Sequence, residues 1–279
     1  MELKLESPQI TREDYEFISR VVYERSRISL GPDKQGLVTS RLAKRLRQLQ
    51  IGSYHEYCQY LSSPKGAEEL RYLIDRISTN HTHFFREMKH FDFLGGKILP
   101  AWNASKPKEP LRVWSSACSS GEEPYSIAIY LAEKLAPAAN GQWHIDATDI
   151  STRVLDIARS GVYDAERLND VPPEWLRRNF QKGVRDWEGQ FRVKEALREQ
   201  ISFHHLNLLE GQYPFPKPFH VIFCRNVMIY FDRETQTDLI ARLSERLAPG
   251  GYLMVGHSES LSGVKHSLKL IQPAIYIKP

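Results

Sequence analysis

The stretch from Leu111 to Leu131, LRVWSSACSSGEEPYSIAIYL, has residue types and spacing suited to holding a ligand. Leu111, Val113 and Trp114 make an apolar, strand-favouring start. Almost every residue from Ser115 to Ser120 is small, and Gly121 closes the turn. Ile127, Leu131 and Leu135 then recur at helical spacing, with Tyr130 beside them. A turn of small residues lets a ligand approach the backbone closely, the reason nucleotide-binding loops are rich in glycine. Ala117, Ser119 and Gly121 stand where a G-x-G-x-G run would stand. Glu122 and Glu123 suit the helix dipole but leave a poor seat for a pyrophosphate. They fit a phosphate-free ligand with an amino group and a sulfonium, as in S-adenosylmethionine. An ordinary strand-to-helix turn explains the same residues equally well when the motif is taken alone.

Three further groups could contribute chemistry. The run Ser78–Glu87, STNHTHFFRE, is polar, then aromatic, then charged, and follows neither a helix nor a strand period. Its position between a helical and an α/β region suits the wall of a cleft. His81 and His83 lack a carboxylate or cysteine at ligand spacing, so hydrogen bonding is favoured over metal binding. Asp149 ends a predicted strand, where an acid can take two ribose hydroxyls or simply cap the next helix. Arg225-Asn226-Val227-Met228-Ile229-Tyr230 follows the apolar strand Phe219–Cys224.

The elements that must position these groups fall into two regions. Residues 11–78 read as helical throughout. Thr11 with Asp14 makes a capping-box-like start, and Gly31-Pro32 breaks the pattern. A helix over roughly Lys34 to Leu49 carries Leu37, Val38, Leu42, Leu46 and Leu49 on one face and Arg41, Lys44, Arg45 and Arg47 on the other. That basic face reads generically as solvated; its density also suits an acidic helical partner. From Leu111 onward strands and helices alternate, which predicts a parallel sheet with helices on both faces and ligands at the strands' carboxyl ends. Residues 162–206 interrupt the alternation. After a helix near Pro173–Asn179, Gln190–Val193 and Ile201–His205 read as short strands of a small edge insertion, which could pack or add a partner peptide's strand.

Composition narrows the classes. The 279 residues allow one large domain or two unequal ones, and a formal charge of +4 is only mildly basic. No apolar run approaches membrane-spanning length, and MELKLESPQITRED has no signal-peptide core. Cys58, Cys118 and Cys224 are far apart, which argues for reduced cytosolic thiols rather than disulfides or a zinc site. No P-loop, H-E-x-x-H or Ser/His/Asp arrangement is recognisable. Asn226-Val227-Met228-Ile229 stands where many amine methyltransferases carry Asn/Asp-Pro-Pro-aromatic, which weakens DNA or protein amide methylation.

Together these residues resemble the chemotaxis receptor methyltransferases of the CheR family. The matching segments are TNHTHFFRE at 79–87, SSACSSGEEPYSIA at 115–128, ATDI at 147–150, LNLL at 206–209 and IFCRNVMIYFD at 222–232, with Ser258-Glu259 in GHSES. The resemblance covers nearly the whole chain. It implies a Rossmann-like, S-adenosylmethionine-dependent α/β sheet over residues 89–279, an all-helical receptor-facing domain over 1–88, and a small antiparallel β-insertion at about 175–205. It implies cofactor contacts from Asn80, Thr82, Arg86, Glu123, Asp149, Asn207, Leu208, Arg225 and Asn226, with Arg86 and Tyr230 nearest the transferred methyl, no metal, and S-adenosylhomocysteine as product. The implied substrate is a glutamate side chain of a chemoreceptor, approached through Arg41, Lys44, Arg45 and Arg47. In some family members the β-insertion grips a receptor C-terminal peptide. The expected protein is a cytoplasmic monomer that binds no nucleic acid and inserts in no membrane. An RNA methyltransferase lacks its aromatic-interleaved basic groove here, and a non-catalytic cofactor sensor would have no use for Arg86 and Tyr230.

Overall fold

The computed structural model describes residues 9–78, 81–105, 108–135 and 143–279. Its chain divides into two compact units: residues 1–79 with Tyr230–Asp232, and residues 80–229 with 233–279. No helix among the described residues is long and apolar enough to cross a membrane.

The first unit is built from α1 (Arg12–Ser26), α2 (Gln35–Leu49), α3 (Tyr54–Ser62) and α4 (Gly66–Ile77). Thr11 caps α1, its Oγ1 accepting from Asp14 N–H at 3.1 Å and donating to Asp14 Oδ2 at 2.7 Å. Ser53 caps α3 by accepting from Glu56 N–H at 3.2 Å. Ile18, Val22, Val38, Leu42, Leu46, Tyr54, Tyr57, Cys58 and Leu73 belong to its core. Tyr230 and Phe231 pack against this cluster; Ser29 N–H donates to Tyr230 O at 2.9 Å and Tyr23 Oη to Asp232 Oδ2 at 2.5 Å.

The basic face of α2 is only half available. Arg41 Nη1 donates to the carbonyls of Arg76, Ile77 and Ser78 at 2.8, 2.9 and 2.9 Å, closing the C-terminus of α4. Arg45 lies 4.0 Å over the Tyr72 ring and pairs with the buried carboxylate of Glu69 at 2.5 Å. Lys44 and Arg47 remain exposed. Helical periodicity groups these four cations, but it does not reveal which of them a neighbouring helix consumes.

The second unit opens with α5 (Lys89–Phe93), a π-turn (Leu94–Ile98) and α6 (Leu99–Ala104). The sheet elements follow: β1 (Leu111–Ser115), α7 (Glu122–Lys134), β2 (Trp143–Asp149), α8 (Thr152–Ser160) and β3 (Val162–Asp164). Next come α9 (Pro173–Asn179), β4 (Phe180–Lys182), β5 (Gln190–Val193), α10 (Glu195–Arg198), β6 (Ile201–His205) and β7 (Phe219–Cys224). The chain ends with α11 (Arg233–Arg246), β8 (Leu247–Val255), β9 (Lys269–Gln272) and β10 (Ile275–Ile277). Seven strands make one sheet in the order β6-β2-β1-β7-β8-β10-β9, and β3-β5-β4 form a small antiparallel sheet. β1 lies parallel between β2 and β7, pairing Ser115 with Ala147 on one side and Phe223 on the other. The strand order reverses at β1 and β7, so a crevice opens at their carboxyl ends.

Two expectations change. Ile201–His205 is not in the insertion; it is the edge strand of the main sheet, paired parallel with β2 from Ile145↔Ile201 to Asp149↔His205. The insertion is instead completed by Val162–Asp164, whose partner β5 lies far along the chain. β8 carries a register irregularity between Leu247 and Tyr252, through Gly250, whose φ is +73°. Cys118 and Cys224 are buried, and all three cysteines are free thiols.

Candidate functional site

The small-residue turn sits where β1 ends. Ser116 N–H donates to Phe223 O at 2.9 Å and Cys118 N–H to Thr148 O at 2.8 Å, so the turn bridges the ends of β7 and β2. Ser119 (φ +49°) and Gly121 (φ +98°) are both left-handed. A Cβ at Gly121 would meet Tyr163 Oη at 2.6 Å and Ala158 Cβ at 2.9 Å, so closeness as well as φ requires glycine there. Asp149 joins the turn to α8: Oδ2 accepts from Ser119 N–H at 2.8 Å and Oδ1 from Ser151 N–H at 2.9 Å. These two bonds fix the Asp149 carboxylate between the turn and the start of α8. It is thus a structural tie as well as a candidate ribose partner.

On α7 the two first-turn acids diverge. Glu122 is buried and faces Arg167 Nη1 at 2.6 Å and Ser120 Oγ at 2.7 Å. Glu123 accepts from Ser115 Oγ at 2.6 Å and from Arg225 Nη1 at 3.2 Å. Burial raises both carboxyls above their ordinary range; Ser120 and Arg167 oppose this at Glu122, and Arg225 and Ser115 at Glu123.

The segment before α5 is pinned by an unusual backbone. Phe85 and Glu87 have φ of +54° and +58°, so Arg86 is held between two left-handed residues. Phe85 N–H donates to Ser126 Oγ at 2.9 Å, and Ser126 Oγ donates to Glu122 O at 2.6 Å, tying this segment to α7. The Phe85 ring is locked between Phe91 and Trp175, with centroids 5.4 Å away in each case. Such strain in a bulky residue persists only where its surroundings over-determine it, and it clusters at functional sites. Arg86 Nη1 donates to His81 O at 3.0 Å.

Arg225 is the hub. Only 2% of its side chain is exposed; Nη2 and Nε bond Glu87 Oε2 at 3.0 and 3.2 Å, Nη1 bonds Glu123, and Nη2 also donates to the Arg86 carbonyl. Burial alone would raise Glu87, but Arg225 and the His257 N–H outweigh it and hold its carboxyl below the ordinary value. Glu87, His90 and His257 bring ligand atoms within 4.8 Å of one another. Both Glu87 oxygens are already engaged, however: Oε2 by Arg225, Oε1 by His257 N–H at 3.1 Å and Asn226 Nδ2 at 3.4 Å. A cation would have to displace a buried guanidinium, so this geometry is that of an ion pair. His90 is fully buried with neither ring nitrogen hydrogen-bonded, and burial, assisted by Arg225, pushes its pKa down to about 3.

Of the sequence-predicted residues, Arg86, Glu123, Asp149, Arg225 and Asn226 are linked by these bonds or their immediate neighbours, and Thr82 lies four residues before Arg86. Asn207 Oδ1 accepts from Leu209 N–H at 3.1 Å, and the Leu208 carbonyl accepts from Tyr213 Oη at 2.6 Å, in the loop after β6. Asn80 lies outside the described residues. Tyr230 is grouped with the helical unit. Sequence reasoning assigned no role to Glu87, His90, Ser115, Ser126 or Glu259; the signals were an acid directly after Arg86 and one in a Gly-His-Ser-Glu turn closing β8. His83 pairs with Asp170 at 3.0 Å, a hydrogen-bonding use.

The site's residues suit S-adenosylmethionine: a close-approach turn flanked by the acids Glu122, Glu123 and Asp149, with α7 opening on the buried acid Glu122, a poor seat for a phosphate. The family model described as "CheR methyltransferase, SAM binding domain" matches residues 80–277, and "CheR methyltransferase, all-alpha domain" matches 13–78. A chemotaxis protein methyltransferase of Borreliella burgdorferi is 41% identical over 96% of this chain and 95% of its own. One from Salmonella typhimurium is 42% identical, covering 93% and 88%, and "Chemotaxis protein methyltransferase 2" of Pseudomonas aeruginosa is 42% identical, covering 95% and 93%.

Proposed function

Because the chain belongs to the CheR methyltransferase family, we propose that it methylates glutamate side chains of chemoreceptors, forming γ-methyl esters in sensory adaptation. The observation that carries this reading is the 41–42% identity to chemotaxis protein methyltransferases over nearly the whole chain. The gathered acids and arginines at the switch point support it.

S-adenosylmethionine, when bound, supplies an electrophilic methyl group on its sulfonium sulfur and leaves as S-adenosylhomocysteine. By the family resemblance, Glu123 and Asp149 would hold its polar ends, and Asn80, Thr82, Asn207, Leu208, Arg225 and Asn226 would supply the remaining contacts. A glutamate carboxylate is already ionised at neutral pH, with a reference pKa of about 4.3, so the protein needs no general base. The carboxylate would itself be the nucleophile toward that methyl group, so no proton would have to move. Alignment and exclusion of water therefore carry the rate. Arg86 orients the carboxylate, since a guanidinium presents paired donors from a fixed plane. Its fixed backbone supports this role. Tyr230 enters this reading through the family resemblance alone.

The receptor's helical region docks on the all-α unit through Lys44 and Arg47, the α2 cations that stay exposed. β4 is an edge strand of the small sheet, and Val184 and Trp187 just beyond it are 71% and 62% exposed, which suits strand addition by a receptor C-terminal peptide. The working protein is a cytoplasmic monomer without a metal.

The test is to supply methyl-labelled S-adenosylmethionine and receptor-containing bacterial membranes, then treat the labelled protein with mild base. Release of label as methanol is expected for a carboxyl methyl ester. Base-stable label would overturn the substrate assignment.

A further inference from the structure

Two carboxylates outside the transfer chemistry converge on one residue, Asn226. Glu259, 7% exposed, accepts from Asn226 N–H at 2.7 Å and Gly256 N–H at 2.6 Å through Oε2, and from Ile229 N–H at 3.3 Å through Oε1. Glu87 reaches Asn226 Nδ2 and His257 N–H through Oε1 and grips the Arg225 guanidinium through Oε2. Asn226 itself is left-handed, with φ of +59°. A Cβ at Gly256 would come 2.6 Å from Asn226 Nδ2 and 2.7 Å from Glu259 Oε2, so the bracket closes tightly against that glycine.

Residues 226, 229 and 256 lie just past the ends of β7 and β8, beyond the ladder between those strands. N–H groups there lie outside the ladder and find other acceptors. One carboxylate with four lone-pair sites can serve all three. A neutral side chain offers less: an amide carries only one oxygen, and its NH₂ would face a donor. Glu87 acts differently, neutralising Arg225 where burial would otherwise expel the charge.

We infer that Glu87 and Glu259 are positioning residues that lock Arg225 and Asn226 into the left-handed turn in which both meet the cofactor, Glu87 through charge and Glu259 through backbone N–H groups. The inference rests on the reading of Arg225 and Asn226 as cofactor contacts. Released from the bracket, the turn relaxes toward right-handed backbone and Arg225 loses its aim.

The experiment is calorimetric S-adenosylhomocysteine binding and steady-state kinetics on Glu87→Gln, Glu259→Gln, Arg225→Ala and the double variant Glu87→Gln/Arg225→Ala of the full chain. Each single Gln variant should weaken S-adenosylhomocysteine about tenfold and raise KM for S-adenosylmethionine, with kcat at saturating cofactor within about threefold. In the Arg225→Ala background, Glu87→Gln should cost nothing further, because Glu87 acts through Arg225. If Arg225→Ala weakens binding but neither Gln variant does, the positioning inference fails while the cofactor reading stands. If Arg225→Ala leaves affinity unchanged, the cofactor reading itself fails. Additive losses in the double variant, with lowered Tm, would assign Glu87 a purely structural role and overturn the inference. Should Glu259→Gln not fold, the Glu87/Arg225 cycle decides alone.

Discussion

Each unit sets an arginine against a glutamate largely shielded from solvent, and the two pairs are built in opposite ways. In the helical unit, Arg45 meets one carboxylate, that of Glu69, with Nε bonds of 3.1 Å to both oxygens and an Nη2 bond of 2.5 Å. Tyr57 Oη adds a bond of 2.9 Å to Glu69, and both partners sit on regular helices, α2 and α4. In the α/β unit, Arg225 faces Glu87 and Glu123 together and also takes a backbone carbonyl. The segments that present them contain left-handed residues at Phe85, Glu87 and Asn226. Ordinary helix geometry delivers the first pair, which fastens two helices. The second requires backbone held uphill of its preferred conformations, a cost with no evident return in stability. The same residue types thus fasten regular helices in one unit and, in the proposed function, set ligand geometry in the other.

The sharpest break in that comparison comes from Glu69→Ala. It strips a buried acceptor from both Arg45 and Tyr57, and the free energy of unfolding should fall by about 2–3 kcal/mol in urea titrations. S-adenosylhomocysteine affinity should stay within about twofold, opposite to the Glu87→Gln pattern. An intermediate effect is expected from acid. The folded chain resists protonating His90 until its pKa of about 3, while the unfolded chain takes up that proton near 6.5. The unfolded state therefore binds more protons between those values, and stability falls as pH drops through the window. His90→Leu should flatten the loss of Tm between about pH 7 and 5; a wild-type slope in the variant would mean another group governs acid sensitivity. The smallest effect concerns docking. Lys44→Glu with Arg47→Glu should raise KM for receptor membranes about three- to tenfold at low salt without moving Tm, since surface charges act mainly on encounter. Arg41→Ala should lower Tm instead, because its guanidinium closes α4. If the two variants behave alike, the division of that face into docking and structural cations is wrong.

Local signals in the sequence carried far. The Thr11 and Ser53 caps, the Gly161 stop after α8 and the strand–turn–helix at Leu111–Leu131 are set by neighbours within a few residues, and each is legible for that reason. What escaped depends on distant partners. Ile201–His205 has the same short apolar look whether it pairs with β5 or β2, and only the fold chooses. Arg41 and Arg45 look identical to Lys44 and Arg47 until α4 packs beside them. The candidate site shows the same limit: Arg225 and Glu123 could be marked from motif positions, but Glu87 and Glu259 become meaningful only once residues 138 and 33 positions away come within hydrogen-bonding distance.

The three cysteines give the chain built-in reporters of its own opening. Cys58 lies in the helical core, and Cys118 and Cys224 lie inside the α/β unit. Burial raises every one of these thiols, Cys58 to about 12, so the native protein presents almost no thiolate to an alkylating reagent. Modification then measures excursions from the folded state, and mass mapping of the labelled position says which unit made them. One unaltered chain can thus report separately on the opening of its helical and α/β units.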